Sequence, residues 1–184
     1  RYYVCNAYGV CGIYSAPGTA VKEAYDTSGI VTNDRGVTVW LKGNRVSRNQ
    51  IMAIKEESVT EQKNSLAVCL DNILRHAGIT RNTEYDLAQG KTATTILSEN
   101  MTGVQVLDLS GCTLDAVLYY VNQDIPVLAI LEDGEAVLVT GFNEFNVVIM
   151  EPATGKLYKK GMNDATAWFA ENGNHFITYM RTEN

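Results

Sequence analysis

The chain has 184 residues, 46% hydrophobic and 20% charged, with a formal net charge of −6. This is the composition of a folded globular chain of one domain or one domain with a small appendage, and it excludes disorder. No basic run occurs, which excludes the clustered Lys and Arg that nucleic acid or an anionic lipid surface needs; nor does any apolar run approach the ~20 residues that span a bilayer, the longest being "IPVLAIL". The sequence begins at Arg1, with no initiator Met and no signal peptide, and reads as a piece of a longer protein whose targeting information lies elsewhere. Four cysteines, at 5, 11, 69 and 112, form no C-x-x-C pair, and two histidines are too few for a familiar zinc site. No cofactor or metal is expected.

In chain order, "YYVCNAYGVCGIY" is aromatic, β-branched and broken by glycines, and reads as a strand or hairpin. A Cys5–Cys11 disulfide needs that segment to turn back on itself; semi-buried free thiols are the favoured reading. "APGTAVKEAYDTSG" has Pro17 near a helix start, Gly29 past its end, and Val21, Ala24 and Tyr25 on one face. "GIVTNDRGVTVWLKG" is a hairpin around Asn33-Asp34-Arg35-Gly36. Residues 1–50 thus form a small β-α-β-β unit that leans on the rest of the chain, and residues 51–62 form a linker. From residue 63 to 184 helices come first and strands later. "NSLAVCLDNILRHAG" places Leu66, Cys69, Leu70, Ile73, Leu74 and Ala77 at helical spacing, with Asn64 or Ser65 as N-cap and Gly78 as C-cap. "TEYDLAQ" and "TATTILSEN" are short helices and "VQVLDL" a strand. "CTLDAVLYYVNQD" is a helix with Leu114, Val117, Leu118 and Val121 inward. Strands come next at 126–131, 136–142, 146–151 and 156–160, then the helix "NDATAWFAENG" and the strand "HFITYM". Helices followed by a meandering antiparallel sheet make an α+β fold.

On these segments the sequence resembles the double-glycine (bacteriocin) leader peptidases of the papain-like cysteine peptidase superfamily, over roughly residues 60–180. "SLAVCLDNILRHAG" matches the helix that carries the family's nucleophile, "GEAVLVTGF" the strand headed by its histidine, and "VVIMEP" the strand ending in its Asp-Pro. The resemblance implies a papain-like fold in which a cysteine at a helix N-terminus is activated by the dipole and a histidine faces it, oriented by a carboxylate. Carried over position by position, the nucleophile falls on Ser65, the histidine on Glu135 and the aspartate on Glu151. The upstream glutamine of the oxyanion site finds only Gln62, too close to the helix start. A serine hydroxyl needs a base, and a glutamate with a pKa near ~4.3 is a poor one, so no catalytic residue is expected at these three positions.

The other chemistry-bearing residues read mostly as structure. Cys69 and His76 share a helix face but are roughly 10 Å apart along the axis, so Cys69 is core and His76 a surface residue near the helix end. His175, in a strand, is satisfied or exposed. Cys112 is a small residue at a strand-to-helix turn, and "EDGE" at 132–135 is by itself a hairpin turn with exposed charges. Tyr2, Tyr3, Tyr8, Tyr14, Tyr25 and Trp40 are the half-buried face of a small sheet rather than a peptide-recognition surface. Degenerate relatives of the leader peptidases act as docking modules, so the implied function is a catalytically silent domain that binds a peptide or protein within a larger bacterial protein. One alternative is an active cysteine peptidase or hydrolase that pairs Cys69 or Cys112 with His175; another is a structural spacer. The compartment stays open, the extracellular part of a membrane-anchored bacterial protein being one reading.

Overall fold

The computed structural model describes residues 1–42 and 64–182. The linker expected at 51–62, and Gln62 with it, lie outside the described residues. Among the described residues, two antiparallel sheets and six helices form an α+β fold. The first sheet has β1 (Tyr2–Cys5), β2 (Cys11–Tyr14), β3 (Ile30–Asn33) and β4 (Thr38–Leu41) in the order β2-β1-β3-β4, with α1 (Pro17–Thr27) between β2 and β3. The opening aromatic stretch is therefore a hairpin, and the N-terminal unit is β-β-α-β-β rather than β-α-β-β. Asn6 makes its turn by accepting the amides of Tyr8 and Val10 at 2.9 and 3.1 Å. Gly9 supplies the left-handed residue at φ +80°. That turn sets Cys5 opposite Cys11, and the two are joined in a disulfide. This corrects the free-thiol expectation: both cysteines are exposed, and the hairpin register brings their Cα atoms within 4.1 Å.

The larger sheet follows α2 (Ser65–His76), α3 (Thr83–Ala88) and α4 (Ala93–Asn100). Its strands are β5 (Val104–Asp108), β6 (Val127–Ile130), β7 (Ala136–Phe142), β8 (Asn146–Glu151), β9 (Lys156–Gly161) and β10 (His175–Arg181), in the order β5-β10-β6-β7-β8-β9. Helix α5 (Leu114–Val121) lies between β5 and β6, and α6 (Met162–Glu171) between β9 and β10. All seven residues of β7 are buried, and both α2 and α5 pack on it, as a strand covered on both faces requires. The expected inward residues of α5 are buried, and Tyr120 joins them.

The two sheets share one apolar core. Trp40 Nε1 donates to the Ala116 carbonyl at 2.9 Å and the Tyr120 hydroxyl to the Val39 carbonyl at 2.8 Å. On the other side of the contact, Gln105 Nε2 donates to the Tyr2 hydroxyl at 2.6 Å. At Gly18 an added Cβ would stand 2.8 Å from the Ser110 carbonyl oxygen, so α1 approaches the end of β5 more closely than a side chain there would allow. The six aromatics of the N-terminal unit divide accordingly: Tyr2 and Trp40 are buried, Tyr3, Tyr14 and Tyr25 partly so, and Tyr8 is 92% exposed. They are chiefly a packing face.

Reduction of the Cys5–Cys11 bridge, or the double Cys→Ser variant, should lower stability by about 2 kcal/mol, the chain-entropy value for so short a loop. Thermal unfolding with and without reductant checks this.

Candidate functional site

Asn64 ends the extended chain and starts α2, its side-chain oxygen accepting the amides of Leu66 and Ala67 at 2.9 and 3.3 Å. These are among the donors that a helix start leaves unpaired, so the positive end of α2 is capped from within. Ser65 is the first helical residue, and its Oγ accepts the amide of Ala136 at 2.9 Å. With a C–N bond of about 1.33 Å, that hydroxyl lies within roughly 4 Å of the Glu135 carbonyl carbon. The helix start and the beginning of β7 therefore meet.

The sheet explains why this amide is free to be taken. Leu131 N donates to the Glu135 carbonyl at 2.7 Å, so at the Ile130–Ala136 pair the main-chain groups point outward, and the Ala136 N–H faces the β8 side. Continuing the Leu138–Met150 register by two residues sets Pro152 opposite Ala136, just beyond the end of β8. Where the ladder stops, the Ser65 hydroxyl stands in as acceptor.

The two glutamates are used by turns. Glu135 is exposed; its amide donates to Asp133 Oδ1 at 2.9 Å in a turn completed by Gly134 at φ +85°. Glu151 is partly buried, its Oε1 accepting the Ala153 amide at 3.1 Å while its carbonyl accepts Gly155 N at 2.7 Å. Its charge still reaches α2, because it adds to the forces acting on Cys69. Ser65 and the chain at Glu135 are thus brought together, with Glu151 near one turn into the helix. What meets the serine hydroxyl is a main-chain amide.

Neither histidine joins them. His76, at the far end of α2, donates from Nε2 to the Asp124 carbonyl at 3.1 Å. His175 pairs with Ile130, which pairs with Ala136, so two strand spacings, roughly 10 Å, separate it from Ala136 on the side of β7 away from Ser65. The two free cysteines are buried. Burial first, and the Glu151 charge second, push the Cys69 thiol well above its ordinary pKa. Cys112 is pushed up to about 12, chiefly by burial, and its Sγ donates to the Gly18 carbonyl at 3.3 Å. Both are thiols, not thiolates, at neutral pH. Among the described residues no three His, Cys, Asp or Glu side chains stand close enough to hold a metal ion, and no helix is long and apolar enough to cross a membrane.

Among solved structures, a protein named as a C39-like peptidase, from Bacillus anthracis, superposes with a TM-score of 0.60 over 74% of this chain and 100% of its own, at 12% identity. The fold is C39-peptidase-like. At that identity the likeness is one of fold alone. No family model and no curated protein matches the chain. The resemblance aligned 65 and 135 with the family's nucleophile and histidine positions; the structure shows the Ser65 hydroxyl taking the amide that follows Glu135. Sequence reasoning missed the Ser65–Ala136 bond, which depends on where the sheet ladder stops and has no local signal.

Ser65→Ala should cost about 1–3 kcal/mol, the penalty for leaving a buried amide unpaired, and should speed exchange of the Ala136 amide more than that of its neighbours in β7. Chemical denaturation and amide exchange test the two effects. Cys69 and Cys112 should react with a thiol-directed electrophile at neutral pH only as the chain unfolds; rapid selective labelling of either in the native protein would contradict their protonated, buried state.

Proposed function

We propose that this chain is a degenerate relative of the double-glycine leader peptidases that binds a peptide or protein at the head of α2 without cleaving it, as the domain at 63–184 of a larger bacterial protein with the unit at 1–50 appended. The observation that carries the reading is the Ser65–Ala136 hydrogen bond. It keeps the helix head and the start of β7 side by side, as a peptidase cleft needs, while occupying the position of a nucleophile with a hydroxyl that has no imidazole beside it. A carboxylate alone is too weak a base to activate such a hydroxyl. The two buried, protonated thiols support the same reading over a Cys–His enzyme. Contacts made in the cleft without transition-state chemistry give affinity and no turnover.

The test is incubation of the purified chain with a peptide library that includes Gly-Gly-containing sequences, read by mass spectrometry for cleavage and by fluorescence polarisation for binding. No cleavage is expected. For any peptide bound, Ser65→Trp and Glu135→Lys should each weaken binding about tenfold or more, since both alter the cleft mouth. Turnover would restore the enzyme reading, and binding indifferent to both substitutions would move the site elsewhere. The absence of any bound peptide would leave the domain a spacer.

A further inference from the structure

At the other end of α2 from Ser65, about 16 Å along the axis at ~1.5 Å per residue, lies a cavity of about 410 Å³. It sits where α2 ends against the start of β5 and the end of β10, and its volume falls in the range of small-molecule sites. Its lining includes the apolar Ile79 and Met101 and the polar Thr102, Tyr179, Arg181 and His76. The lining contains no carboxylate.

Two of the polar groups are held in place from behind. His76 Nε2 donates to the Asp124 carbonyl at 3.1 Å, and Arg181 Nη1 to the Gln123 carbonyl at 3.1 Å, so both rest on the turn after α5. The remaining guanidinium donors of Arg181 have no carboxylate partner among the described residues. Tyr179 is the independent sign. The residue is only 3% exposed, yet its hydroxyl has no hydrogen-bond partner among the described residues. Asn174 Oδ1 is the fully occluded side-chain atom left without a partner there, so the Tyr179 hydroxyl opens into the cavity. The ring is buried while the hydroxyl is free of protein partners and faces the cavity, so it is available to donate to a ligand oxygen. Burial raises the Tyr179 pKa against the opposing charge of Arg181, which keeps the phenol protonated and a donor. Near the end of α2 the carbonyls of Ile73, Leu74 and Arg75 are already taken by the amides of Ala77, Ile79 and Gly78.

We propose that this cavity binds a small organic carboxylate. Its oxygens are taken by the Arg181 guanidinium and by the Tyr179 and Thr102 hydroxyls, and its apolar part lies on Ile79 and Met101. A guanidinium with neighbouring hydroxyls is a donor set suited to two carboxylate oxygens, and the apolar part of the lining selects against bare inorganic anions. The site is separate from the head of α2 and does not depend on the peptide-binding reading.

The probe is N-acetylphenylalanine, with its carboxamide as the uncharged control, titrated into the nitrogen-15-labelled chain. Saturable shifts are expected at the Gly103, Val104 and Arg181 amides, with the carboxamide at least about tenfold weaker. Arg181→Met, at an exposed position, should weaken binding about tenfold or more, and Tyr179→Phe, which keeps the ring, about threefold to tenfold. Equal binding of acid and amide, indifference to Arg181→Met, or no shift up to about 20 mM would overturn the proposal. A pentapeptide ending in phenylalanine, compared free and amidated at its C-terminus, then identifies the source. Binding of the free form to match the probe assigns a peptide chain end, and its failure beside a bound probe assigns a small molecule; either result keeps the carboxylate site.

Discussion

The head of α2 is pinned to the start of β7 because β8 stops one residue before Pro152. A strand that lost its neighbour there would leave the Ala136 amide, in a residue only 1% exposed, without an acceptor. The Ser65 hydroxyl supplies one at 2.9 Å, and Asn64 behind it caps the helix. One hydrogen bond thus sets where the helix enters the sheet.

The rest of the core serves to hold the two partners of this junction rigid. β7 is buried along its whole length, with α2 and α5 packed on it. The N-terminal sheet leans on α5 through Trp40, which donates to Ala116, and through Tyr120, which donates back to Val39. Each of these buried polar atoms is paired, so the contact between the sheets gains specificity without leaving an unsatisfied group. Rings of Tyr25, Trp40, Tyr119 and Tyr120 succeed one another at centroid distances of 5.1 to 6.2 Å along the same seam.

The chemistry at the junction comes from residue type and burial together. A hydroxyl that accepts a main-chain amide can still donate a hydrogen bond, but it has no imidazole within reach to take its proton. Glu135 and Glu151 serve the turns that begin β7 and end β8. The thiols have been drawn into the apolar core, where desolvation holds them protonated. These features of the hydroxyl and the two thiols are the physical basis of the proposed function.

Much of this was legible in the residues alone. The 3.6-residue spacing of Leu70, Ile73 and Leu74 with Asn64 ahead, and the apolar runs of β6 to β8 separated by "EDG" and "NEF", determine elements whose turns and caps are local. For that reason the observed α2 and β7 match the expected helix and strand. Tertiary structure decided whatever depends on distance between segments. The Cys5–Cys11 bridge needed the hairpin register. The partner of the Ser65 hydroxyl needed β8 to end where it does. The cavity between Tyr179, Arg181 and the tail of α2 joins residues more than a hundred positions apart, and no local spacing encodes that meeting. Backbone propensity and side-chain period act over a few residues, whereas the pairing of a hydroxyl, an amide or a guanidinium is settled only by what the folded chain sets beside it.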